Sequence, residues 1–170
     1  MNAADALKHA DAACYAAKDA GRDRVHIYYR DDTELSQRHG EMQWVSRINE
    51  ALETDAFKLF AQRIANADAD SGHGDHYEIL IRMNNEQGRI IPPGAFLPAA
   101  ERYGISPRLD RWVIETLFEW LAVSEERLRL ADLYCVNLSA LSLGDAKTLD
   151  CISRLLEETR IPAQKLCFEI

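Results

Sequence analysis

No stretch of this 170-residue chain approaches the roughly 20 consecutive apolar residues that a membrane-crossing helix needs. The opening segment, MNAADALKHADAACYAAK, spreads Asp and Lys through its alanines and so lacks the apolar centre of a secretion signal. Cysteine is scarce: Cys14, Cys135, Cys151 and Cys167 show no C-x-x-C spacing and sit inside apolar patterns. That speaks against a disulfide framework and for buried, reduced thiols in a cytoplasmic protein. Positive charge is in deficit, with 20 Lys and Arg against 28 Asp and Glu and a net charge of -8. A broad surface tracking a nucleic acid polymer is thereby excluded, while a small phosphate ligand held by a few placed cations or metal ions is not. What remains is 47% apolar and 28% charged, ordinary for a globular chain long enough for one core plus a remnant of another domain.

Periodicity divides the chain. Residues 3–20 predict an amphipathic helix, with Ala6, Leu7, Ala10, Ala13, Cys14 and Ala17 on one face and Gly21 closing it. RVHIYY (24–29) predicts a short strand, and a helix and strand this small cannot bury a core alone. RDDTELSQRHG (30–40) is polar and aperiodic, and is expected to be a linker. From Glu41 a second helix is expected, carried by Met42, Val45, Ile48 and Leu52. FKLFAQRI (57–64) and YEILIRM (77–83) predict strands of a hairpin, and a helix is expected over about 95–103. Ser106-Pro107 is expected to act as N-cap and first residue of a helix burying Leu109, Trp112, Val113, Leu117 and Leu121. Strand (132–138), helix (148–160) and strand (165–170) then alternate, as in an α/β fold with parallel strands. The chain stops on the last residue of an apolar strand, which suggests a truncated segment.

Three oxygen-bearing residues occupy similar places: Glu78 in YEILIRM, Asn137 at the end of YCVNLS and Glu169 at the end of LCFEI. In an α/β barrel the C-terminal ends of parallel strands converge on one face, and carboxylate and amide oxygens suit Mg²⁺ or Mn²⁺ rather than zinc. The plainer alternative is a paired edge glutamate. Arg82, four residues after Glu78, points to the same side of the strand and could hold a phosphate; an internal ion pair with Glu78 is the competing reading. His73 and His76 in DADSGHGDHY lack the remaining ligands of a Ca²⁺ loop and predict a solvated hairpin turn.

Two families are resembled. ADAACYAAKDAGRDRVHIY (10–28) is similar to the closing helix and strand of GGDEF domains, with Asp23 where Asn is usual, while the GG(D/E)EF signature of the cyclase site is absent. Residues 41–170 resemble the N-terminal half of an EAL domain, through FAQRI, YEILIRM with Glu78-Ile79-Leu80, IPPGAFLPAAERYG, LDRWVI, YCVNLSA and LCFEI in that order. The resemblance implies residues 1–29 as a GGDEF remnant, 30–40 as linker and 41–170 as half of a TIM-like barrel whose first strand runs antiparallel. It implies a cyclic-di-GMP phosphodiesterase that gives pGpG with two divalent ions, Mg²⁺ or Mn²⁺. Glu78, Asn137 and Glu169 then fall on metal-ligand positions, with Glu78 also catalytic. Arg82 would contact phosphate, Leu80 would line the ligand, Gln62 would be a polar site residue and Asp110 would read a guanine edge.

The D-D-F-G-x-G segment, a lysine and a later Glu and Gln of the family have no counterpart before Ile170. The expectation is therefore a chain that does not itself hydrolyse cyclic di-GMP and that self-associates through open sheet edges. Ile79 for the usual Ala and Arg63 for the usual Pro favour a second reading, a degenerate EAL domain that binds cyclic di-GMP or a protein partner without cleaving. The parent is expected to be cytoplasmic or tethered through upstream domains.

Overall fold

The computed structural model describes residues 33–65, 74–85 and 87–170, with Ala6, Ala10 and Val25 as isolated positions. The helix expected over 3–20, the strand over 24–29 and His73 lie outside the described residues. Two compact units result, residues 1–47 and 48–170. In the first, the Arg47 guanidinium lies 4.0 Å from the centre of the Trp44 ring.

Helix α1 runs Thr33–Glu53, so it starts eight residues before Glu41 and takes in most of the expected linker. Glu34, Leu35, Gln37 and Arg38 are good helix formers, enough to carry a helix without a periodic apolar stripe and across Gly40, which costs about 1 kcal/mol.

The second unit is an α/β fold built on one mixed sheet. Strand β1 (Phe57–Ile64) pairs antiparallel with β2 (His76–Asn84), from Phe57 opposite Met83 to Ile64 opposite His76. Strands β4 (Leu133–Asn137) and β5 (Leu166–Glu169) follow in parallel, giving the order β1-β2-β4-β5, with the two-residue β3 (Ile90–Ile91) on the far end of β2. At the base of the hairpin Gly74 donates its N–H to Asp132 Oδ2 (2.5 Å), Asp132 N–H donates to Asp75 O (2.9 Å), and Arg63 pairs with Asp75 (2.6 Å).

Helices cover one face. After a short 3-10 turn at Pro93–Ala95, α2 (Leu97–Arg102) ends at Gly104, whose φ of 68° is open to glycine without steric cost. Helix α3 (Ser106–Ala122) carries apolar residues at spacings of three and four, and Val113, Ile114, Leu117, Phe118 and Leu121 pack with Ile79, Tyr134 and Val136 of the sheet. Ser106 is the first helical residue, with Ile105 as N-cap and Pro107 inside the first turn. The expected cap is thus displaced by one residue, and Ser106 Oγ is buried without a hydrogen-bond partner. A five-residue helix α4 (Glu125–Arg129) is capped by Ser124, whose Oγ accepts from the Glu126 N–H at 3.2 Å. Beyond β4, the short α5 (Ala140–Leu143) leads to α6 (Ala146–Thr159), which adds Cys151 and Leu155 to the core and is tied to α3 by Arg111–Asp145 and Arg154–Glu115 pairs. Among the described residues no helix is long and apolar enough to cross a membrane.

Candidate functional site

Alternation along a strand sends neighbouring residues to opposite faces, and the pairing register carries that assignment across the sheet. Leu59, Ile79, Ile81, Met83, Tyr134, Val136 and Phe168 face the helices. Their neighbours face the other way. One cross-sheet row is Gln62, Glu78, Cys135 and Cys167, from the register pairs Gln62 with Glu78, Glu78 with Cys135, and Cys135 with Cys167. One step towards the C-terminal ends of the parallel strands lies a second row of Phe60, Leu80, Asn137 and Glu169, with Arg82 beyond it on β2. This face is open: Phe60 is 44% exposed, and Gln62, Asn137 and Glu169 are exposed too.

The three oxygen-bearing residues therefore share one face, but Glu78 stands one row below the other two. Asn137 closes that gap by donating from Nδ2 to Glu78 Oε1 at 2.7 Å, and it is the direct register partner of Glu169. The Leu138 N–H, donating to Glu169 O at 2.7 Å, fixes the two strand ends side by side. The donor set, two carboxylates and an amide, fits a hard divalent cation.

Arg82 and Glu78 take different partners, which disfavours the internal ion pair. The Arg82 guanidinium donates to Ile81 O (2.8 Å) and lies 5.8 Å from the centre of the Phe60 ring. Leu80 is half-buried between these residues, directly across from Phe60. Asp110 is 9% exposed, on α3, and its Oδ2 accepts from the Ser139 N–H (2.8 Å) and the Ser142 hydroxyl (2.6 Å). That carboxylate pins the turn that follows Asn137, a job the sequence did not disclose.

Two further residues of this face are cysteines, of which Cys135 is buried and Cys167 half-buried. Cys135 and Cys167 are free thiols, and their Sγ atoms and a Glu169 carboxylate oxygen all lie within 4.8 Å of one another. Burial, with the Glu169 carboxylate next in weight, pushes the Cys135 thiol up to about 11. It is protonated near neutrality and is no nucleophile. The overlooked signal is a spacing of two: Cys135 precedes Asn137, and Cys167 precedes Glu169, by one strand repeat.

Residues 45–170 match the profile of the EAL domain. The whole chain is 37% identical over 172 residues to the cyclic di-GMP phosphodiesterase PdeB of Shewanella oneidensis, of which it covers 20%. Over 126 residues, 74% of the chain, it is 36% identical to the cyclic di-GMP phosphodiesterase PdeF of Escherichia coli, covering 16% of that protein. The crystal structure of the FimX EAL domain from Pseudomonas aeruginosa bound to c-di-GMP superposes with a TM-score of 0.63 at 34% identity, over 74% of this chain and 48% of that one. The chain thus spans about a fifth of these curated relatives and about half of a solved domain.

Proposed function

This chain belongs to the EAL domain family, and from that premise we propose that its open sheet face is one half of a cyclic-di-GMP phosphodiesterase site. The carrying observation is the Glu78–Asn137–Glu169 arrangement at one end of the parallel strands. Mg²⁺ or Mn²⁺ bound there would supply Lewis-acid polarisation of the phosphodiester and a more acidic water. The residues of the chain do the rest. Glu78 and Glu169 bring two negative charges, and the Asn137 amide holds Glu78 in place. Arg82, kept on the open face by Ile81 O and Phe60, offers its remaining N–H groups to a phosphate oxygen. Leu80 and Phe60 give a ligand an apolar floor, and Gln62 a polar edge. With Oδ2 of Asp110 committed to Ser139 and Ser142, any guanine contact by that residue falls to Oδ1.

The same assignment makes residues 1–29 the end of a GGDEF domain, 30–40 a connection and 41–170 the first half of a TIM-like EAL barrel, in a cytoplasmic region of the parent. The alternative of a degenerate, non-catalytic receptor drew on Ile79 and Arg63. Ile79 points into the helix-covered core at 6% exposure, and Arg63 pairs with Asp75 at the hairpin base, so neither departure alters the row of ligands.

Calorimetric titration with Mn²⁺, followed by cyclic di-GMP, tests the assignment. Glu78→Gln and Glu169→Gln should each weaken Mn²⁺ binding by at least about tenfold without loss of helix content. Unchanged Mn²⁺ binding in both variants would sink it. The chain alone should release no pGpG; release above the Glu78→Gln level would show that this half suffices.

A further inference from the structure

We propose that Cys135, Cys167 and Glu169 form a second metal site, one for a thiophilic divalent cation of the Zn²⁺ class. The three ligand atoms already lie within 4.8 Å of one another, on adjacent strands whose register makes Cys135 and Cys167 direct partners. Around tetrahedral zinc, Zn–S bonds of about 2.3 Å set sulfur atoms about 3.8 Å apart. Small side-chain torsions therefore close the cluster without moving the backbone.

The donor types decide the class of ion. Two sulfurs and one carboxylate select a soft or borderline cation, whereas the oxygen set of Glu78, Asn137 and Glu169 selects a hard one. Each thiol releases its proton to solvent on coordination, leaving two thiolates and a carboxylate around a divalent charge. Cys135 is buried, Cys167 is half-buried and Glu169 is exposed, so an ion enters from the Glu169 side and settles against the sheet. The fourth position goes to water. Only Glu169 need be shared with the oxygen set, and an ion held by the thiols withdraws it from any cation there. The site stands on this cluster alone and does not depend on phosphodiesterase activity.

The test is made on the reduced chain without nucleotide. Titration with Co²⁺ as a zinc surrogate should produce a thiolate-to-metal charge-transfer band that saturates at one ion per chain and is displaced by Zn²⁺. Cys135→Ser and Cys167→Ser should each weaken binding by at least about tenfold. Cys151→Ser, whose thiol donates instead to Glu115 between α3 and α6, should leave the band in place. Circular dichroism checks that each variant is folded. X-ray absorption on the zinc-loaded, unmodified chain should count two sulfur neighbours, independently of any variant. No band in the unmodified chain, a band that survives in the folded Cys135→Ser/Cys167→Ser double variant, or a zinc shell without sulfur overturns the site. Loss of Mn²⁺ binding in Glu78→Gln with an intact charge-transfer band would separate this cluster from the oxygen set.

Discussion

The two faces of the sheet are made by the same strands yet obey different rules. On the helix-covered face Leu59, Ile79, Ile81, Tyr134, Val136 and Phe168 pack against the helices, and Ile114 and Phe118 of α3 are wholly shielded from water. On the open face the intervening residues are Gln62, Glu78, Asn137 and Glu169, with two thiols beneath. Among the described residues the close apolar packing lies on the helix side, while the other face gathers polar groups that would be costly inside an apolar core. Stability and chemistry are therefore separable here, residue by residue.

The sharpest way to break that comparison is to empty the covered face. Phe118→Ala should cost about 3–5 kcal/mol in urea unfolding, while Gln62→Ala on the open face should stay within about 0.5 kcal/mol. Comparable losses in both would mean that the open face also carries the fold. Next in size is Asp110→Ala, which strands the Ser139 N–H and leaves the Ser142 hydroxyl with Ser139 Oγ alone. A loss of roughly 3 kcal/mol is expected, together with weaker Mn²⁺ binding because the turn after Asn137 loosens. If stability falls but Mn²⁺ binding does not, the tether serves the fold alone.

A smaller effect depends on pH. The Thr148 hydroxyl, opposed by partial burial and helped by Arg111, holds the Asp145 carboxyl below the usual carboxylate range. A depressed carboxyl stabilises the native state above about pH 4 and loses that contribution as pH falls through its folded-state value. Asp145→Asn should lower stability at pH 7 and flatten the acid limb below about pH 4, with the open face unaffected; an unchanged acid limb would remove Asp145 from the account. The least effect belongs to Ser106→Ala. Removing a buried hydroxyl without a partner should be neutral or stabilising by up to about 1 kcal/mol, and a clear loss would reveal a bond for that oxygen.

Much of this was legible in the sequence because strand alternation and helical spacing are local. FKLFAQRI, YEILIRM, LYCVN and LCFE read as strands by themselves, and the order of short EAL-like segments points to the family and to the candidate site residues. What was not legible depends on partners far along the chain. The meeting of Cys135 with Cys167 needs the parallel register of β4 and β5, which no spacing of 32 residues encodes. The capture of Asp110 by Ser139 and Ser142 needs α3 to lie beside the turn after β4. The start of α1 at Thr33 was missed for the opposite reason, since propensity can extend a helix where no apolar stripe marks it.

The clasp at the base of the hairpin has a practical consequence. Gly74, Asp75, Asp132 and Arg63 lock the entry of β2 at the end of the sheet remote from Asn137 and Glu169, and a Cβ on residue 74 would come within 2.9 Å of Asp132 Cγ. Foreign sequence spliced between Ala65 and Gly74, such as a reporter or an affinity handle, would enter outside that lock. The segment is thus a natural grafting point, and Gly74 is the residue an engineer should leave alone.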